Sequence, residues 1–263
     1  MSAAETSLSP KDVTGAQSDS VQRLVLRLSD SVTIIRGDCR DMLSSLEFDA
    51  VVTDPPYGIS FQRGKSGKGF DCNTNRKPIF GDDVDFDPTP LLKLTLRKSI
   101  ENYRALVMFG PNHYASKIPK AGQWLVWDKS CGQGPANSFV DAEFIWMNRR
   151  NPRCIFRHFW MGALRKGEGN QNNSKRTHPS AKPVELMAWL IETARIGTGK
   201  TILDPYMGTG STGVACIKSG RKFIGIEIDP DHFETARLRL EKELAQGRLG
   251  LTQNEVISQS REE

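Results

Sequence analysis

The sequence has little cysteine and no long apolar run. Its five cysteines are scattered and form no CxxC pair, which argues against a disulfide framework and a structural zinc site. Four dispersed histidines form no ligand pattern either, so we expect no metal. No segment is apolar enough to cross a membrane, and residues 1–20 lack the basic-then-apolar layout of a signal peptide. We therefore expect a cytoplasmic protein.

The 263 residues suit one large α/β domain with an inserted region. Strand patterns alternate with helical ones, which predicts a doubly wound, mostly parallel sheet of Rossmann-like fold. We expect a flexible leader over residues 1–30, a folded domain over 31–246 and a polar tail over 247–263. The predicted helices cover residues 90–103, 183–195 and 211–219, and a last helix begins at Asp229.

Two segments lack the periodicity of a helix or strand. We expect a mobile loop over residues 58–87 and an irregular chain over residues 148–177. The net charge is +5, and basic side chains concentrate in residues 58–80 and 130–176. This segregation predicts a surface for a polyanion, and from charge alone an ordinary solvated surface is an equal alternative.

A glycine-rich turn follows the apolar strand that ends near Leu203. Gly208, Gly210 and Gly213 fit the pattern G-x-G-x-x-G, and Glu227 ends the next strand about 20 residues on. Glycine lets the backbone approach a ligand closely, and a carboxylate at the strand tip can accept hydrogen bonds from ribose hydroxyls. A dinucleotide and S-adenosylmethionine both fit this pattern, and a purely structural turn is the alternative.

The residues just before the glycines favour one of these two ligands. Asp204-Pro205 places a carboxylate where a pyrophosphate would be repelled. The same carboxylate suits the methionine ammonium of S-adenosylmethionine. We therefore expect S-adenosylmethionine as the cofactor.

Asp54-Pro55-Pro56-Tyr57 is the most specific motif in the chain. Two prolines end a strand or helix, so the motif lies at the carboxyl end of a buried strand, where open α/β sheets bind ligands. The Asp54 carboxylate and the Pro55 carbonyl can accept both N–H bonds of an exocyclic amino group, whose freed lone pair can then attack a sulfonium methyl. Tyr57 can stack on a base removed from the duplex. An ordinary Pro-Pro turn with a packed tyrosine is the alternative.

The order of these motifs resembles the permuted (β) class of DNA amino-methyltransferases. The resemblance covers about residues 32–244 and implies a catalytic domain over 31–246, with target recognition within 130–176. It adds Asp38-Cys39 at the cofactor adenine and an HP-x-x-KP stretch, residues 178–183, at the methionine end. The implied catalytic residues are Asp54, Pro55, Pro56 and Tyr57. The implied cofactor-binding residues are Asp38, Cys39, His178, Lys182, Pro183, Asp204, Pro205, Tyr206, Gly208, Gly210, Ser211, Thr212, Glu227 and Ile228.

Some positions depart from the family pattern, and others match segments without a catalytic role. Ser180-Ala181 stands where Thr-Gln is commoner, and Tyr206 where Phe is commoner. Residues 127–129 and 141–143 resemble framework segments that precede the recognition region.

The resemblance also bears on the substrate. A leading Asp goes mostly with adenine N6 in this family, so Asp54 favours site-specific methylation of adenine N6 in flipped bases of double-stranded DNA. Cytosine N4 is the main alternative. RNA or protein-glutamine methylation, NAD-dependent oxidoreduction and a DNA-binding module without catalysis are further alternatives. The resemblance leaves monomer and homodimer open, and it allows a partner restriction endonuclease in a restriction-modification system.

Overall fold

The computed structural model describes residues 23–59, 81–96, 104–134, 140–161, 164–165 and 181–259. Within these ranges no helix combines the length and apolarity that a membrane span requires. The strands are β1 (Leu24–Ser29), β2 (Val32–Arg36), β3 (Ala50–Thr53), β4 (Ala105–Phe109), β5 (Gln123–Asp128), β6 (Ala142–Met147), β7 (Ile155–Arg157), β8 (Trp160–Met161), β9 (Leu164–Arg165), β10 (Thr201–Asp204) and β11 (Lys222–Glu227). The α-helices are α1 (Thr89–Leu96), α2 (Val184–Thr193), α3 (Ser211–Lys218) and α4 (Pro230–Gln259).

Nine of these strands form one sheet in the order β1-β2-β11-β10-β3-β4-β6-β5-β7. The strands from β2 to β4 run parallel to one another. β1 and β6 pair antiparallel with their neighbours, and β8 and β9 form a separate two-stranded antiparallel sheet. The prediction of a mostly parallel, doubly wound sheet is confirmed.

The central strands are apolar on both faces. Every residue of β3 and β4 is buried, as expected where helices cover both sides of a parallel sheet. Residues of α2, α3 and α4 pack on one face with Val52, Val107 and Ile202. Residues of α1 and of the short turns after β2 pack on the other face with Val51 and Leu106. The sheet therefore lies between two apolar cores.

The structure corrects two predicted boundaries. The leader was expected to extend to residue 30, but Leu24–Ser29 forms β1 and pairs with β2. Leu26 and Leu28 of this strand pack against the core, which a flexible leader would not do. The polar tail was expected from residue 247, but α4 continues to Gln259.

Two further predictions fall partly outside the described residues. Residues 148–177 were expected to be irregular, but β7, β8 and β9 lie within this range. β7 extends the large sheet by pairing parallel with β5. The predicted loop at 58–87 and the last turns of the helix predicted at 90–103 lie mostly outside the described residues, and so does His178.

Candidate active site at the carboxyl edge of the sheet

Four neighbouring parallel strands, β2, β11, β10 and β3, end at the same edge of the sheet. The predicted site residues follow these ends, so residues far apart in sequence meet there. The amide of Gly37 donates to the Glu227 carbonyl (2.9 Å), and that of Met207 donates to the Ile226 carbonyl (2.9 Å). These bonds join the loop after β2 and the glycine-rich turn to β11.

The glycine-rich turn has the conformation that its sequence predicts. Gly208 and Gly210 have φ values of 51° and 82°, a region that favours glycine. A Cβ built at Gly208 would meet no described atom within 4 Å, so a ligand can approach the backbone there. At Gly213 a Cβ would lie 2.7 Å from Leu240 and Phe223. The third glycine therefore allows α3 to pack closely on β11 and α4.

Glu227 joins two turns at this edge. One carboxylate oxygen accepts from the amide of Gly208 (2.8 Å) and the other from that of Asp229 (2.8 Å). Burial raises the pKa of this carboxyl group, although the backbone hydrogen bonds oppose the shift. Each oxygen has a second lone pair, so Glu227 can still accept from a ribose. Ile228, also predicted to bind the cofactor, follows Glu227 directly after β11.

Asp204 is more deeply buried than the cofactor prediction requires. The residue is 2% exposed. Its carboxylate oxygens accept hydrogen bonds from the hydroxyls of Thr53 (2.7 Å) and Thr212 (2.6 Å). Burial raises its pKa to about 7, against the effect of these hydrogen bonds. Asp204 thus ties β10 to β3 and α3, and its contact with a methionine ammonium stays a prediction.

The loop after β2 contributes Asp38 and Cys39. Asp38 accepts from the amide of Arg40 (2.9 Å) and forms an ion pair with its guanidinium group. Cys39 is buried beside Tyr206, and burial raises the pKa of its thiol to about 11. Tyr206 packs edge-on against Phe86. These side chains lie together at the edge, and the contact of Asp38 with the cofactor adenine stays a prediction.

The carboxylate of Asp54 has a partner on each oxygen. The Tyr57 hydroxyl donates to Oδ1 (2.5 Å), and the Lys182 ammonium donates to Oδ2 (2.6 Å). Lys182 also lies 3.4 Å from Glu143, which receives a bond from Lys129 (3.0 Å). Lys182 was expected at the methionine end of the cofactor, but it is bound to the predicted catalytic carboxylate.

The ring of Tyr57 already has an aromatic neighbour. It stacks on His113 with ring centroids 4.9 Å apart and an interplanar angle of 13°, and it packs over Gly110, where any Cβ would overlap the ring. The amides of Tyr57 and Gly58 both donate to Asp82 (3.0 Å each). The motif is therefore held rigidly, and stacking of a base on Tyr57 stays a prediction.

Sequence reasoning gave no site role to Glu143, Lys129, Asp82 or His113. Glu143 carries a recognisable signal, because a carboxylate in the strand AEFIWM needs a buried partner. The other three lie in segments whose proximity to Asp54 depends on the tertiary fold.

The remaining predicted site residues lie near the same edge. Pro183 precedes α2, Ser211 and Thr212 begin α3, and Pro205 lies in the turn after β10.

A sequence model of the N6/N4 DNA methylase family matches residues 112–238, which include Glu143, Lys182 and the glycine-rich turn. The match spans 127 of the 263 residues, and over this stretch the chain is similar to that family. Type II methyltransferase M.HinfI of Haemophilus influenzae is 24% identical over 251 residues, covering 80% of this chain and 68% of the relative. YubD, named as a methylase of Escherichia coli (strain K12), is 26% identical over 221 residues, covering 78% of this chain and 88% of the relative.

Two solved structures share the fold of this chain. The M1.HpyAVI–SAM complex has a TM-score of 0.51 and 22% identity, and the match covers 80% of this chain and 100% of that one. PvuII DNA methyltransferase, described as cytosine-N4-specific, has a TM-score of 0.52 and 12% identity, with coverages of 83% and 91%. The predicted Rossmann-like methyltransferase fold is confirmed.

The carboxyl edge fits S-adenosylmethionine as the cofactor. Asp38 and Glu227 supply the acceptors that an amino group and ribose hydroxyls need, and the open backbone at Gly208 gives a ligand access. The edge also carries Asp54 and Asp204. Arg40 and Lys182 balance Asp38 and Asp54, so Asp204 and Glu227 are the acidic groups that would favour an ammonium group over a pyrophosphate.

Proposed function

We propose that this DNA methyltransferase transfers the methyl group of S-adenosylmethionine to N6 of adenine, at specific sites in double-stranded DNA. The observation that carries the proposal is the juxtaposition of Asp54 with the glycine-rich turn. β3 and β10 are neighbours in the sheet, and the Thr53–Asp204 hydrogen bond joins their carboxyl ends. A group held by Asp54 would therefore lie beside a cofactor held by the turn.

The chain's own residues supply the acceptors for the target amino group. The Asp54 carboxylate can accept one of its N–H bonds, and the Pro55 carbonyl, whose direction the prolines fix, can accept the other. Both bonds favour localisation of the nitrogen lone pair, which is otherwise delocalised into the ring. Bound S-adenosylmethionine supplies an electrophilic methyl group. Because Asp54 lies at a sheet edge, a base in a duplex has to be extruded to reach it.

The aspartate at position 54 supports adenine over cytosine, because a leading Asp accompanies adenine N6 in the family that the motifs resemble. The PvuII enzyme is described as cytosine-N4-specific, so the shared fold accommodates either base. Cytosine N4 is the alternative product that the experiment must separate. An oxidoreductase would leave the Asp54–Tyr57 motif without a role.

Target recognition is proposed for residues 130–176. Within the described part of this range, Arg153 and Arg157 are exposed on or beside the edge strand β7. Arginine at such a position can contact phosphates, which set the orientation of the protein on the duplex. A monomer or a homodimer, and a partner restriction endonuclease, remain compatible with this function.

The product nucleoside tests the proposal directly. Purified protein is incubated with methyl-labelled S-adenosylmethionine and duplex DNA of mixed sequence, and the digested nucleosides are separated. We expect label in N6-methyladenine, and Asp54→Ala should reduce its formation at least about 10³-fold because one acceptor is lost. Lys200→Met removes a surface ion pair at the opposite edge of the sheet and should retain wild-type activity. Label in N4-methylcytosine alone would overturn the base assignment.

A further inference from the structure

Four side chains of alternating charge lie in a row that ends at Asp54. Lys129 bonds to Glu143 (3.0 Å), Glu143 lies 3.4 Å from Lys182, and Lys182 bonds to Asp54 (2.6 Å). The four residues come from the end of β5, from β6, from the segment before α2 and from the end of β3. The Lys182 side chain is only 12% exposed. Its ammonium group therefore interacts mainly with protein rather than with water.

We propose that Lys182 and Glu143 are positioning residues for methyl transfer: they hold Asp54 by its Oδ2, so that Oδ1 faces the target amino group. This inference rests on the proposed function, because it assigns Asp54 to the acceptance of that group. It also replaces the expected contact between Lys182 and the cofactor. The Lys182 ammonium already contacts two carboxylates and lies 5.1 Å from the centroid of the Phe109 ring.

Glu143 is needed because a lysine alone is a weak constraint. The lysine side chain is a flexible four-carbon stem with a compact charge, and one partner leaves it several rotamers. A second carboxylate on the far side fixes the ammonium between two anions. Hydrogen bonds with charged donors are about twice as strong as neutral ones. The rotamer of Asp54 is therefore determined by a residue that never touches the substrate.

The charge state of the row agrees with this role. Burial raises the pKa of Glu143, but the ammonium groups of Lys182 and Lys129 outweigh it and hold this pKa below its ordinary value. Burial lowers the pKa of Lys182, but Asp54 and Glu143 raise it further than burial lowers it. Both shifts favour the charged forms of Glu143 and Lys182, as an ion pair between them requires.

Oδ1 of Asp54 is the oxygen that can accept a hydrogen bond from the target amino group. Its partner is the neutral Tyr57 hydroxyl, whereas Oδ2 is bound by a charged group. An incoming amino group can replace a phenol as donor more readily than it can displace a buried ammonium. The geometry therefore predicts that Tyr57, rather than Lys182, gives way when the base enters.

The experiment separates positioning from cofactor binding in the full-length protein. Single-turnover methyl transfer is measured at saturating S-adenosylmethionine, and the Kd for S-adenosylhomocysteine is measured by calorimetry. We expect Lys182→Met to slow transfer about 10²-fold and Glu143→Gln about 10-fold, because small misplacements of a reacting group have effects of this size. The Kd should stay within about twofold of wild type in both variants, since neither side chain contacts the cofactor in this scheme.

Two further variants complete the design. Lys182→Arg retains the charge and should recover part of the transfer rate. Lys200→Met is the matched control, because it removes a lysine–aspartate ion pair away from the site. Thermal unfolding confirms that each variant is folded. Should Lys182→Met fail to fold, Glu143→Gln and Lys182→Arg carry the same comparison.

Each outcome has one meaning. A raised Kd for S-adenosylhomocysteine, with transfer preserved at saturating cofactor, would assign Lys182 to the cofactor and overturn the inference. Wild-type transfer rates in Glu143→Gln would also overturn it, while the proposed function would stand. A wild-type protein that methylates no DNA would overturn both.

Discussion

At the scale of single residues, the buried carboxyl group of Asp204 has a marked effect on the pH dependence of stability. Its pKa is about 7 in the folded chain, against an ordinary value of 3.8. Between these values the folded state keeps a proton that the unfolded state has released. Rising pH therefore favours unfolding over this window. The stability associated with protonated Asp204 is complete below about pH 4 and is lost as the pH rises through 7.

Asp204→Asn should remove this dependence. Asparagine keeps the shape and can bond to Thr53 and Thr212, but it does not titrate. Between pH 5.5 and 7 the wild type should lose about 2 kcal/mol more unfolding free energy than the variant, as linkage predicts for one such group. Urea unfolding at several pH values measures the difference. Asp30→Asn, a change at a fully exposed side chain, should leave the wild-type profile intact; parallel profiles for wild type and Asp204→Asn would refute the argument.

At the scale of elements, the contact between α3 and β11 depends on the absence of a side chain at Gly213. Leu240 and Phe223 fill the space beside it, and both are almost completely buried. Because the glycine-rich turn begins α3, this packing also places the turn at the carboxyl edge. The third glycine of the motif thus acts through packing, and the first acts through access to the backbone.

A pair of Gly→Ala substitutions tests this distinction. Alanine is the better helix former by about 1 kcal/mol, so Gly247→Ala, in open space on α4, should stabilise the protein by about that amount. Gly213→Ala gains the same propensity, but its Cβ would lie 2.7 Å from two buried side chains. Overpacking should destabilise it by about 1–3 kcal/mol net. Chemical denaturation of both variants gives the comparison, and two shifts of the same sign would contradict it.

Elements with a strong local signal were predictable from the sequence. β2 and β4 have the predicted ends, because β-branched and apolar runs stop at Gly37 and Gly110. β1 was missed, since only its pairing with β2 shows that it belongs to the sheet. Lys182 and Asp54 are 128 residues apart. Their ion pair depends on the strand order, and no local pattern encodes that order.

At the scale of the whole molecule, charge is divided between two regions. The carboxyl edge carries the acidic residues Asp204 and Glu227, whereas the described part of 130–176 exposes Arg157 on β7 and Arg153 just before it. β7 extends the sheet beyond β5. DNA phosphates bound beside β7 would therefore lie away from the acidic residues of the carboxyl edge, which would repel them. Only the extruded base would enter that edge.

This division predicts how DNA affinity responds to salt. Each arginine that neutralises a phosphate adds about 0.9 to the slope of log K against log salt concentration. Arg153→Ala and Arg157→Ala should each lower that slope by about 1 and weaken binding to all duplexes similarly. Lys222→Ala changes an exposed cation at the amino end of β11, away from β7. It should leave the slope unchanged. Fluorescence anisotropy with labelled duplexes, between about 50 and 200 mM salt, measures all three slopes. Equal slopes for the wild type and both arginine variants would place the phosphate contacts elsewhere on the protein.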